Sequence, residues 1–249
     1  MIGTLKRSKD RKVTNLVRKG TKLNKKTGER EPDYQPVIAN SIGLPSGGQF
    51  SCTDQTDYCG SICYAGKLEK IYKGVSAVLL HNWALLAKAD LDTMVLLLSA
   101  MVDDFESDSE KRQATKIFRI HWDGDFFSPT YVAAWARVIK AHPDVTFWAY
   151  TRVPTAATFL HAQRLANLSL YFSGDRDNVS IAKHLAVIGI NVAYVGDTFA
   201  DGKAEFPTAT RCPENNGSIP LISELGSACS ACGLCVNGRK DVLFSASKS

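Results

Sequence analysis

The feature that most constrains the fold is an alternation of strand-like and helix-like segments over residues 117–195. Short aromatic and β-branched runs predict strands, and the amphipathic segments between them predict helices. The predicted strands are Ile117–Trp122, Val145–Tyr150, Leu168–Phe172 and Ile190–Val195, and the predicted helices are Thr130–Ala141, Ala156–Ala166 and Val179–Ile188. This order predicts a parallel α/β sheet, and both a doubly wound sheet and a closed or partial barrel are compatible with it.

The segments before this alternation fit the same class of fold. Val37–Leu44 is a short apolar run that predicts a first strand, closed by a Pro-Ser-Gly-Gly loop. Val75–Lys88 and Leu91–Phe105 predict two leucine-rich helices, with Asp90 as the N-cap of the second. At 249 residues and 45% hydrophobic, the chain is long enough to bury one large core under such helices.

A polar or glycine-containing cluster follows each of the four predicted strands. The clusters are Asp123-Gly124-Asp125, Thr151-Arg152, Ser173-Gly174-Asp175 and Gly196-Asp197. Ligands bind at the carboxyl ends of parallel strands, so we expect these residues to converge on one site. The alternative is that each Gly and Asp only forms a turn or caps a helix.

The seven cysteines fall into two groups. The first is Cys52, Cys59 and Cys63, and the second is Cys212, Cys229, Cys232 and Cys235. Close spacings and an odd number predict metal binding rather than disulfides in a reducing compartment. Three thiolates leave one coordination position open for a substrate or cofactor, whereas four close the shell. We therefore expect one open and one closed site.

The metal expected in the closed site is a [4Fe-4S] cluster or zinc. The tight Cys-x-x-Cys-x-x-Cys run at residues 229–235 is typical of ferredoxin-type clusters, and zinc modules more often separate two Cys-x-x-Cys pairs. The spacing favours the iron–sulfur cluster and leaves zinc open.

Positive charge is concentrated near the start of the chain. The net charge is +5, and residues 6–30 hold eleven Lys or Arg against two acidic residues. These residues form a basic arm with turn signals at Gly20 and Gly28 that suggest a loose hairpin, and the arm either contacts nucleic acid or is solvated. The polar, basic start and the lack of a long apolar run predict a cytoplasmic protein without membrane contact.

Several motifs carry a resemblance to known families. The open three-cysteine loop, the β/α alternation and Asp123-Gly124-Asp125 resemble the radical S-adenosylmethionine superfamily. Cys-Tyr-Ala at residues 63–65, Gly-Asp-Phe-Phe-Ser at 124–128, Phe-Trp-Ala-Tyr-Thr-Arg at 147–152 and Cys-Gly-Leu-Cys at 232–235 look like the phage gene product 88 family, over about residues 40–244. The cysteine spacing here is six and three residues, whereas the superfamily's usual spacing is three and two.

The resemblance implies a partial parallel β/α barrel of about five or six strands with a C-terminal cysteine-rich metal-cluster module. The expected organisation is a basic N-terminal arm at 1–33, the barrel with the three-cysteine loop at 34–205, and the four-cysteine module with a final strand at 206–249. A [4Fe-4S] cluster at Cys52, Cys59 and Cys63 would bind S-adenosylmethionine, and an electron donor such as a flavodoxin or ferredoxin would reduce it.

The resemblance also suggests roles for individual residues. Asp123, Gly124 and Asp125 fall where the superfamily contacts the amino group of the cofactor, although Asp125 replaces the expected Glu. The other candidate cofactor contacts are Tyr64 against adenine, Arg152 on a carboxylate, Ser173 on a ribose hydroxyl, and Asp197 at the last strand end. The candidate catalytic residues are Asp125, Tyr150 and Arg152. A structural ion pair with Asp123 or Asp175 is the competing account of Arg152.

The leading functional hypothesis is an enzyme that cleaves S-adenosylmethionine reductively to a 5'-deoxyadenosyl radical and modifies a substrate, with the second cluster as an auxiliary centre. A phage origin would place it in the cytoplasm of the host cell. The alternatives are a non-catalytic nucleic-acid-binding metalloprotein with structural zinc or iron–sulfur sites, and an electron-transfer or redox-sensing protein.

Overall fold

The fold is built around a seven-stranded sheet in which every pairing is parallel. The computed structural model describes residues 3–10, 12, 16–36, 38–223 and 226–247. With strands numbered along the whole chain, the order across the sheet is β3 (Ser41–Ile42), β4 (Ile117–Ile120), β5 (Thr146–Thr151), β6 (Leu168–Gly174), β7 (Asn191–Gly196), β11 (Val242–Ser245) and β8 (Thr210–Arg211). The predicted α/β class with a parallel sheet is confirmed.

The sheet has seven strands rather than the five or six expected from the sequence. Two of them, β8 and β11, come from residues 206–249, and β11 pairs with both β7 and β8. Both β3 and β8 are only two residues long, and such short strands leave no periodic pattern in a sequence.

Each helix lies between two strands in the order of the chain. They are α1 (Asp57–Ile62), α2 (Tyr64–Ile71), α3 (Lys73–Leu86), α4 (Leu91–Arg112), α5 (Pro129–Ala141), α6 (Pro154–Ala162), α7 (Val179–Val187), α8 (Phe199–Glu205) and α9 (Ala228–Cys232). Asp90 caps α4 as predicted, because its side chain accepts a 2.8 Å hydrogen bond from the Thr93 backbone N–H. This helix runs seven residues beyond its predicted end at Phe105, into a segment whose buried stripe continues to Ser109.

The two faces of the sheet are covered by different parts of the chain. Side chains alternate between the faces along each strand. On one face, Phe118 and Phe147 pack in a core with α4 and α5, and Phe172 packs in a second core with α6 and α7. This agrees with the rule that parallel crossovers are right-handed, which places the helices of consecutive strands on the same side of a sheet.

The opposite face is covered by the C-terminal cysteine-rich segment. Trp148 and Tyr171 on this face are buried in a third cluster with Cys212, Cys235 and Val236. The second cysteine group is therefore part of the packing of the sheet.

The N-terminal segment forms a hairpin and also contacts the body of the protein. Strands β1 (Leu16–Leu23) and β2 (Arg30–Pro36) pair antiparallel, so the predicted hairpin is present. Before it, Ser8 forms a bridge with Ser41, and Leu5 is buried. Arg11 of the basic arm and Val37, where the first strand was predicted to begin, lie outside the described residues.

Two further short strands, β9 (Ile222–Ser223) and β10 (Gly226–Ser227), pair antiparallel just before α9. No described helix combines the length and the apolar character that crossing a membrane requires.

Candidate metal and cofactor site

The first cysteine group lies on a turn and two short helices between β3 and α3. Cys59 lies within α1, and Cys63 stands between α1 and α2 as the N-cap of α2, where its sulfur accepts a 3.3 Å hydrogen bond from the Gly66 backbone N–H. The Thr56 hydroxyl caps α1 by accepting from the Cys59 backbone N–H at 3.0 Å. All seven cysteines of the chain are free thiols.

This cysteine-bearing stretch is fixed to the carboxyl ends of β6 and β7 by three hydrogen bonds. The Thr56 hydroxyl donates to Asp175 Oδ2 at 2.6 Å, and the Tyr58 backbone N–H donates to Asp177 Oδ2 at 2.8 Å. The Tyr58 hydroxyl donates to Asp197 Oδ1 at 2.9 Å. The end of β4 joins the same assembly, because the Asp125 backbone N–H donates to Ser51 Oγ at 3.2 Å. The strand-end clusters and the first cysteine group therefore meet at one edge of the sheet.

Gly124 occupies a position that no other residue fits without strain. Its φ is +84°, and a Cβ there would lie 2.5 Å from Ser51 Oγ and 2.8 Å from the Leu44 Cβ and carbonyl oxygen. The Leu44 backbone N–H also donates to the Asp123 carbonyl oxygen at 2.9 Å. Gly124 therefore allows the close approach between the end of β4 and the loop that carries Cys52.

Asp125 is buried, and its carboxylate is hydrogen-bonded by neighbouring groups of the protein. It accepts hydrogen bonds from the Thr151 hydroxyl at 2.6 Å, the Arg152 backbone N–H at 2.7 Å and the Phe126 backbone N–H at 2.7 Å. Burial raises the pKa of this carboxyl, and the three hydrogen bonds act in the opposite direction. Asp125 therefore ties the end of β4 to the end of β5.

Asp123 presents a contrast, because it is also buried and neither carboxylate oxygen accepts a hydrogen bond of normal geometry from a described residue. The Glu69 carboxyl lies close enough to hydrogen-bond Asp123 when one of the two acids is protonated. Burial and the neighbouring Glu69 carboxyl raise the pKa of Asp123 to about 8. Glu69 itself accepts hydrogen bonds from the Ser46 backbone N–H at 2.9 Å and from the Ser46 hydroxyl. An unpartnered buried carboxyl costs free energy unless a donor or a cation is brought to it.

The surroundings of Cys52 and Cys59 differ in charge. Burial and the nearby Asp125 carboxyl raise the pKa of the Cys52 thiol to about 12. Burial also raises the pKa of Cys59, but the Arg152 guanidinium beside this thiol acts in the opposite direction. Cys52 therefore keeps its proton at neutral pH unless a cation binds near it.

Arg152 forms the ion pair with Asp175 that was the competing account of its role. Its Nη1 also donates to the Ser173 carbonyl oxygen at 3.3 Å. Asp197, at the end of β7, accepts a 3.0 Å hydrogen bond from Arg176 as well as the bond from Tyr58. Arg152 and Ser173 are thus hydrogen-bonded to each other at the carboxyl edge, and Asp197 is joined to this edge through Tyr58 and Arg176.

One predicted residue lies at the margin of this edge cluster, and another lies away from it. Tyr64 is 57% exposed on α2, with its hydroxyl donating to the Trp122 carbonyl oxygen at 2.9 Å. Tyr150 lies on the sheet face that the C-terminal segment covers, with its ring centroid 5.5 Å from that of Tyr171. Burial and the adjacent Cys235 raise the pKa of Tyr150 well above its ordinary value. Tyr150 is therefore closer to the second cysteine group.

The four cysteines of the second group line one small cavity together with apolar residues and Glu214. Burial raises the pKa of Cys235 to about 11, and it also raises the pKa of Cys229, which the Lys12 ammonium partly offsets. The Cys229 backbone N–H donates to the Lys12 carbonyl oxygen at 2.8 Å, so the N-terminal segment reaches this group.

A third cluster, outside both cysteine groups, brings its potential metal-ligand atoms closer together than either cysteine group does. In the part of the chain that the structure describes, only Asp103, Glu106 and His142 bring three His, Cys or carboxylate ligand atoms all within 4.8 Å of one another. The sulfurs of neither cysteine group come that close as a set of three. Nothing in the local sequence pattern indicated the Asp103–Glu106–His142 cluster, since His142 lies on a different element from the two acids.

A larger cleft lies at the opposite, amino edge of the sheet. Its volume is about 390 Å³, and it is lined by the starts of β5, β6 and β7 and by the turn at residues 236–238. The cleft lies far from the strand ends that bear the charged residues, so it is not part of the candidate site.

Comparisons with known proteins agree on one family. Residues 5–238 match the family described as gene product 88. The chain is 64% identical to the gene 88 protein of Mycobacterium phage L5 over 247 residues, covering 99% of this chain and all of that protein. It is 62% identical to the gene 88 protein of Mycobacterium phage D29 over 248 residues, again covering 99% of this chain and all of the relative. No solved structure matches the chain. The chain therefore belongs to the gene product 88 family.

Proposed function

We propose that this protein is an iron–sulfur enzyme that binds S-adenosylmethionine at the carboxyl edge of its sheet and uses it for radical chemistry on a substrate. The observation that carries the proposal is the position of the three-cysteine stretch. Thr56 and Tyr58 in this stretch are hydrogen-bonded to Asp175 and Asp197, which follow β6 and β7. The carboxyl edge of a parallel sheet is where such folds bind ligands.

The fold supports the same proposal. The first five strands of the sheet follow one another in chain order, and the helices between them pack on one face. Parallel strands that follow one another in chain order, with all their helices on one face, form a partial β/α barrel whose inner face lies opposite the helices. In this chain the C-terminal segment packs on that inner face.

The residues of the first group suit a cluster with one open position. Three thiols on one stretch supply three ligands, and the buried Cys52 thiol needs a nearby cation before it ionises. A bound four-iron cluster with S-adenosylmethionine would supply a 5'-deoxyadenosyl radical that removes hydrogen from unactivated carbon.

The residues of the chain would orient and hold the cofactor. The buried oxygens of Asp123 accept no hydrogen bond of normal geometry from a described residue, so they can accept hydrogen bonds from an ammonium group, which would also favour the ionised form of this carboxyl. Asp125 holds the Arg152 backbone in place, and the Asp175 carboxylate orients the Arg152 guanidinium beside Cys59. Arg152 then remains available for a carboxylate with its other N–H groups. Tyr64 and Ser173 are the candidates for adenine and ribose contacts.

The second group suits a closed cluster better than a single zinc ion. In tetrahedral zinc sites with bonds of about 2.3 Å, the sulfurs lie about 3.8 Å apart. The four sulfurs here line one cavity, but no three of them all lie within 4.8 Å of one another. A four-iron cluster holds its ligand sulfurs farther apart, because its irons occupy the corners of a cube. An electron donor such as a flavodoxin or ferredoxin would reduce one or both centres.

The test begins with metal content. Anaerobic reconstitution should give about eight iron atoms per chain if both groups hold four-iron clusters. Replacing Cys52, Cys59 and Cys63 together by Ser should leave about four iron atoms per chain. The matched variant replaces the second group together: Cys212, Cys229, Cys232 and Cys235. Zinc in the second group would leave about four iron atoms in the parent protein.

The second measurement concerns the cofactor. The electron paramagnetic resonance spectrum of the reduced protein should change when S-adenosylmethionine is added, and dithionite should release 5'-deoxyadenosine. Both effects should vanish in the variant lacking the first group. A reduced, cluster-replete protein that neither changes its spectrum nor cleaves the cofactor would overturn the proposal and favour the non-catalytic metalloprotein.

A further inference from the structure

Helix α2 connects the first cysteine group to an exposed surface. The helix begins directly after Cys63 and packs inward through the buried Ala65. Its one acidic residue, Glu69, is turned toward the loop that carries Ser46, which donates two hydrogen bonds to it. The outward side of α2 and the start of α3 make the surface that we call the α2 surface. It consists of Tyr64, Lys67, Lys70, Ile71, Tyr72 and Lys73.

The α2 surface carries positive charge that the protein does not neutralise. Lys67, Lys70 and Lys73 are all exposed. None of them makes an ion pair with any residue that the structure describes. Lys67 is three residues from both Tyr64 and Lys70, so it neighbours each of them on the helix surface. Three unpaired ammonium groups within seven residues favour a polyanionic partner.

Exposed aromatic and apolar side chains lie among these lysines. Tyr72 is 56% exposed and Ile71 is 67% exposed. Aromatic rings between positive charges are typical of surfaces that bind single strands, because the lysines contact phosphates and the rings stack on unpaired bases. A duplex hides its base faces, so this composition favours a single strand over a double helix.

The basic arm at the N-terminus is less suited to this task. Arg7 pairs with Asp104 at 2.6 Å, Lys12 with Glu214 at 2.8 Å and Lys22 with Glu31 at 3.5 Å. Lys6, Lys9, Lys25 and Lys26 are exposed and make no ion pair with a residue that the structure describes. However, residues 6–30 contain no aromatic side chain that could stack on an unpaired base.

We infer that the α2 surface binds single-stranded nucleic acid, and that the substrate of the site beside Cys63 is a single-stranded nucleic acid or a residue within one. The binding surface stands on its own observations, whereas the substrate assignment rests on the proposed function. Tyr64 links the two regions, since its exposed ring belongs to the α2 surface and its hydroxyl bonds the Trp122 carbonyl oxygen next to Asp123.

Binding can be measured with a fluorescently labelled 20-nucleotide single strand, in RNA and DNA forms, by anisotropy on the anaerobically isolated full-length protein. Changing Lys67, Lys70 and Lys73 together to Glu should weaken binding at least tenfold. The salt slope, log K against log salt, should fall by about 2, since three single-strand phosphate contacts contribute about 0.7 each. Tyr72→Leu should weaken binding about fivefold, as expected for one lost stacking contact of about 1 kcal/mol.

The matched control changes three other exposed lysines, Lys88, Lys111 and Lys140, to Glu. It makes the same change in net charge and should weaken binding by less than about threefold. Iron content and melting temperature of both triple variants check that folding is intact. Equal losses in the two triple variants would overturn the inference, as would tighter binding of a duplex or of anionic phospholipid vesicles than of the single strand.

Photocrosslinking of a single strand containing 4-thiouridine provides a second measurement that needs no variant. The crosslinked peptide should fall within residues 61–74, and a crosslink confined to the hairpin at residues 16–36 would contradict the inference. No S-adenosylmethionine or reductant is present in either binding experiment. Absent strand binding therefore refutes the α2 surface alone, and absent cofactor cleavage refutes the proposed function alone.

Discussion

The hydroxyl of Tyr58 donates a 2.9 Å hydrogen bond to Oδ1 of Asp197, across 139 residues of sequence. This bond ties the helix that carries Cys59 to the end of β7. The Arg176 guanidinium lies 4.4 Å above the Tyr58 ring and bonds the other oxygen of Asp197. Burial and the Asp197 carboxylate raise the pKa of Tyr58 to about 12, so the hydroxyl stays a donor at neutral pH.

Replacing Tyr58 by Phe removes this hydrogen bond and keeps the ring under Arg176. We expect the free energy of unfolding to fall by about 1 kcal/mol, a typical value for one hydrogen bond. If the first cysteine group holds the proposed cluster, iron should also be lost faster on dilution, because the Cys59 helix is less firmly held. Denaturant unfolding and iron release measure the two effects. Tyr72→Phe, at an exposed position, should change stability by less than about 0.5 kcal/mol, and an equal effect of both substitutions would contradict the link.

Gly124→Ala tests the close approach at the end of β4. The added Cβ would meet Ser51 Oγ at 2.5 Å at a φ of +84°, so both sterics and backbone strain oppose it. We expect a loss of at least about 2 kcal/mol. The control is Gly74→Ala in α3, where nothing lies within 4 Å of the added Cβ. That change should leave stability unchanged or raise it by up to about 1 kcal/mol. Thermal unfolding of both variants decides the comparison.

The sequence pattern was sufficient for the parts of the fold that repeat. The strand and helix alternation from β4 to β7, the Asp90 cap and the convergence of Asp125, Arg152 and Asp197 at one edge all follow from local periodicity and the geometry of parallel sheets.

Contacts between distant segments of the chain could not be predicted from such patterns. The packing of Cys212 and Cys235 against Trp148 joins segments far apart in the chain, and local sequence carries no record of it. The pairing of Ser8 with Ser41, and hence the docking of the arm on the body, depends on tertiary contacts in the same way. Asp123 was predicted as a cofactor contact, but its burial beside the Glu69 carboxyl, without a hydrogen bond of normal geometry from a described residue, became visible only in three dimensions.

Asp10→Ala tests whether the N-terminal segment stabilises the sheet face that the C-terminal cysteine-rich segment covers. Asp10 Oδ2 accepts a 2.7 Å bond from Arg119, and both side chains are nearly buried. The Arg119 guanidinium also lies 4.8 Å from the centre of the Trp148 ring. Removing the carboxylate leaves a buried cation unpaired, so we expect a loss of about 3 kcal/mol.

The control for this change is Lys22→Ala, which breaks the half-exposed pair with Glu31 and should cost less than about 1 kcal/mol. Denaturant midpoints at constant slope compare the two variants. Equal, small effects would show that the segment contributes little to the stability of the body.

Asp123→Asn should change the pH dependence of stability. The folded-state pKa of Asp123 is raised from 3.8 to about 8 by burial and by Glu69, so between these values the folded protein binds more protons than the unfolded chain. Stability contributed by the protonated carboxyl is therefore fully present below about pH 4 and is lost as the pH rises through about 8. Asn cannot ionise, so the variant should match the parent near pH 4 and exceed it near pH 9, by about 5 kcal/mol.

Melting temperatures of both proteins at half-unit steps between these limits measure the difference. Asp144→Asn removes an exposed carboxylate and, as a surface substitution, should change stability by less than about 0.5 kcal/mol. A constant difference for Asp123→Asn would mean that the carboxyl is ionised throughout, held by a cation or donor. Saturating S-adenosylmethionine should have that effect if its amino group binds here, because a bound ammonium favours the ionised form. The same titration with and without the cofactor therefore tests both the buried acid and its proposed ligand.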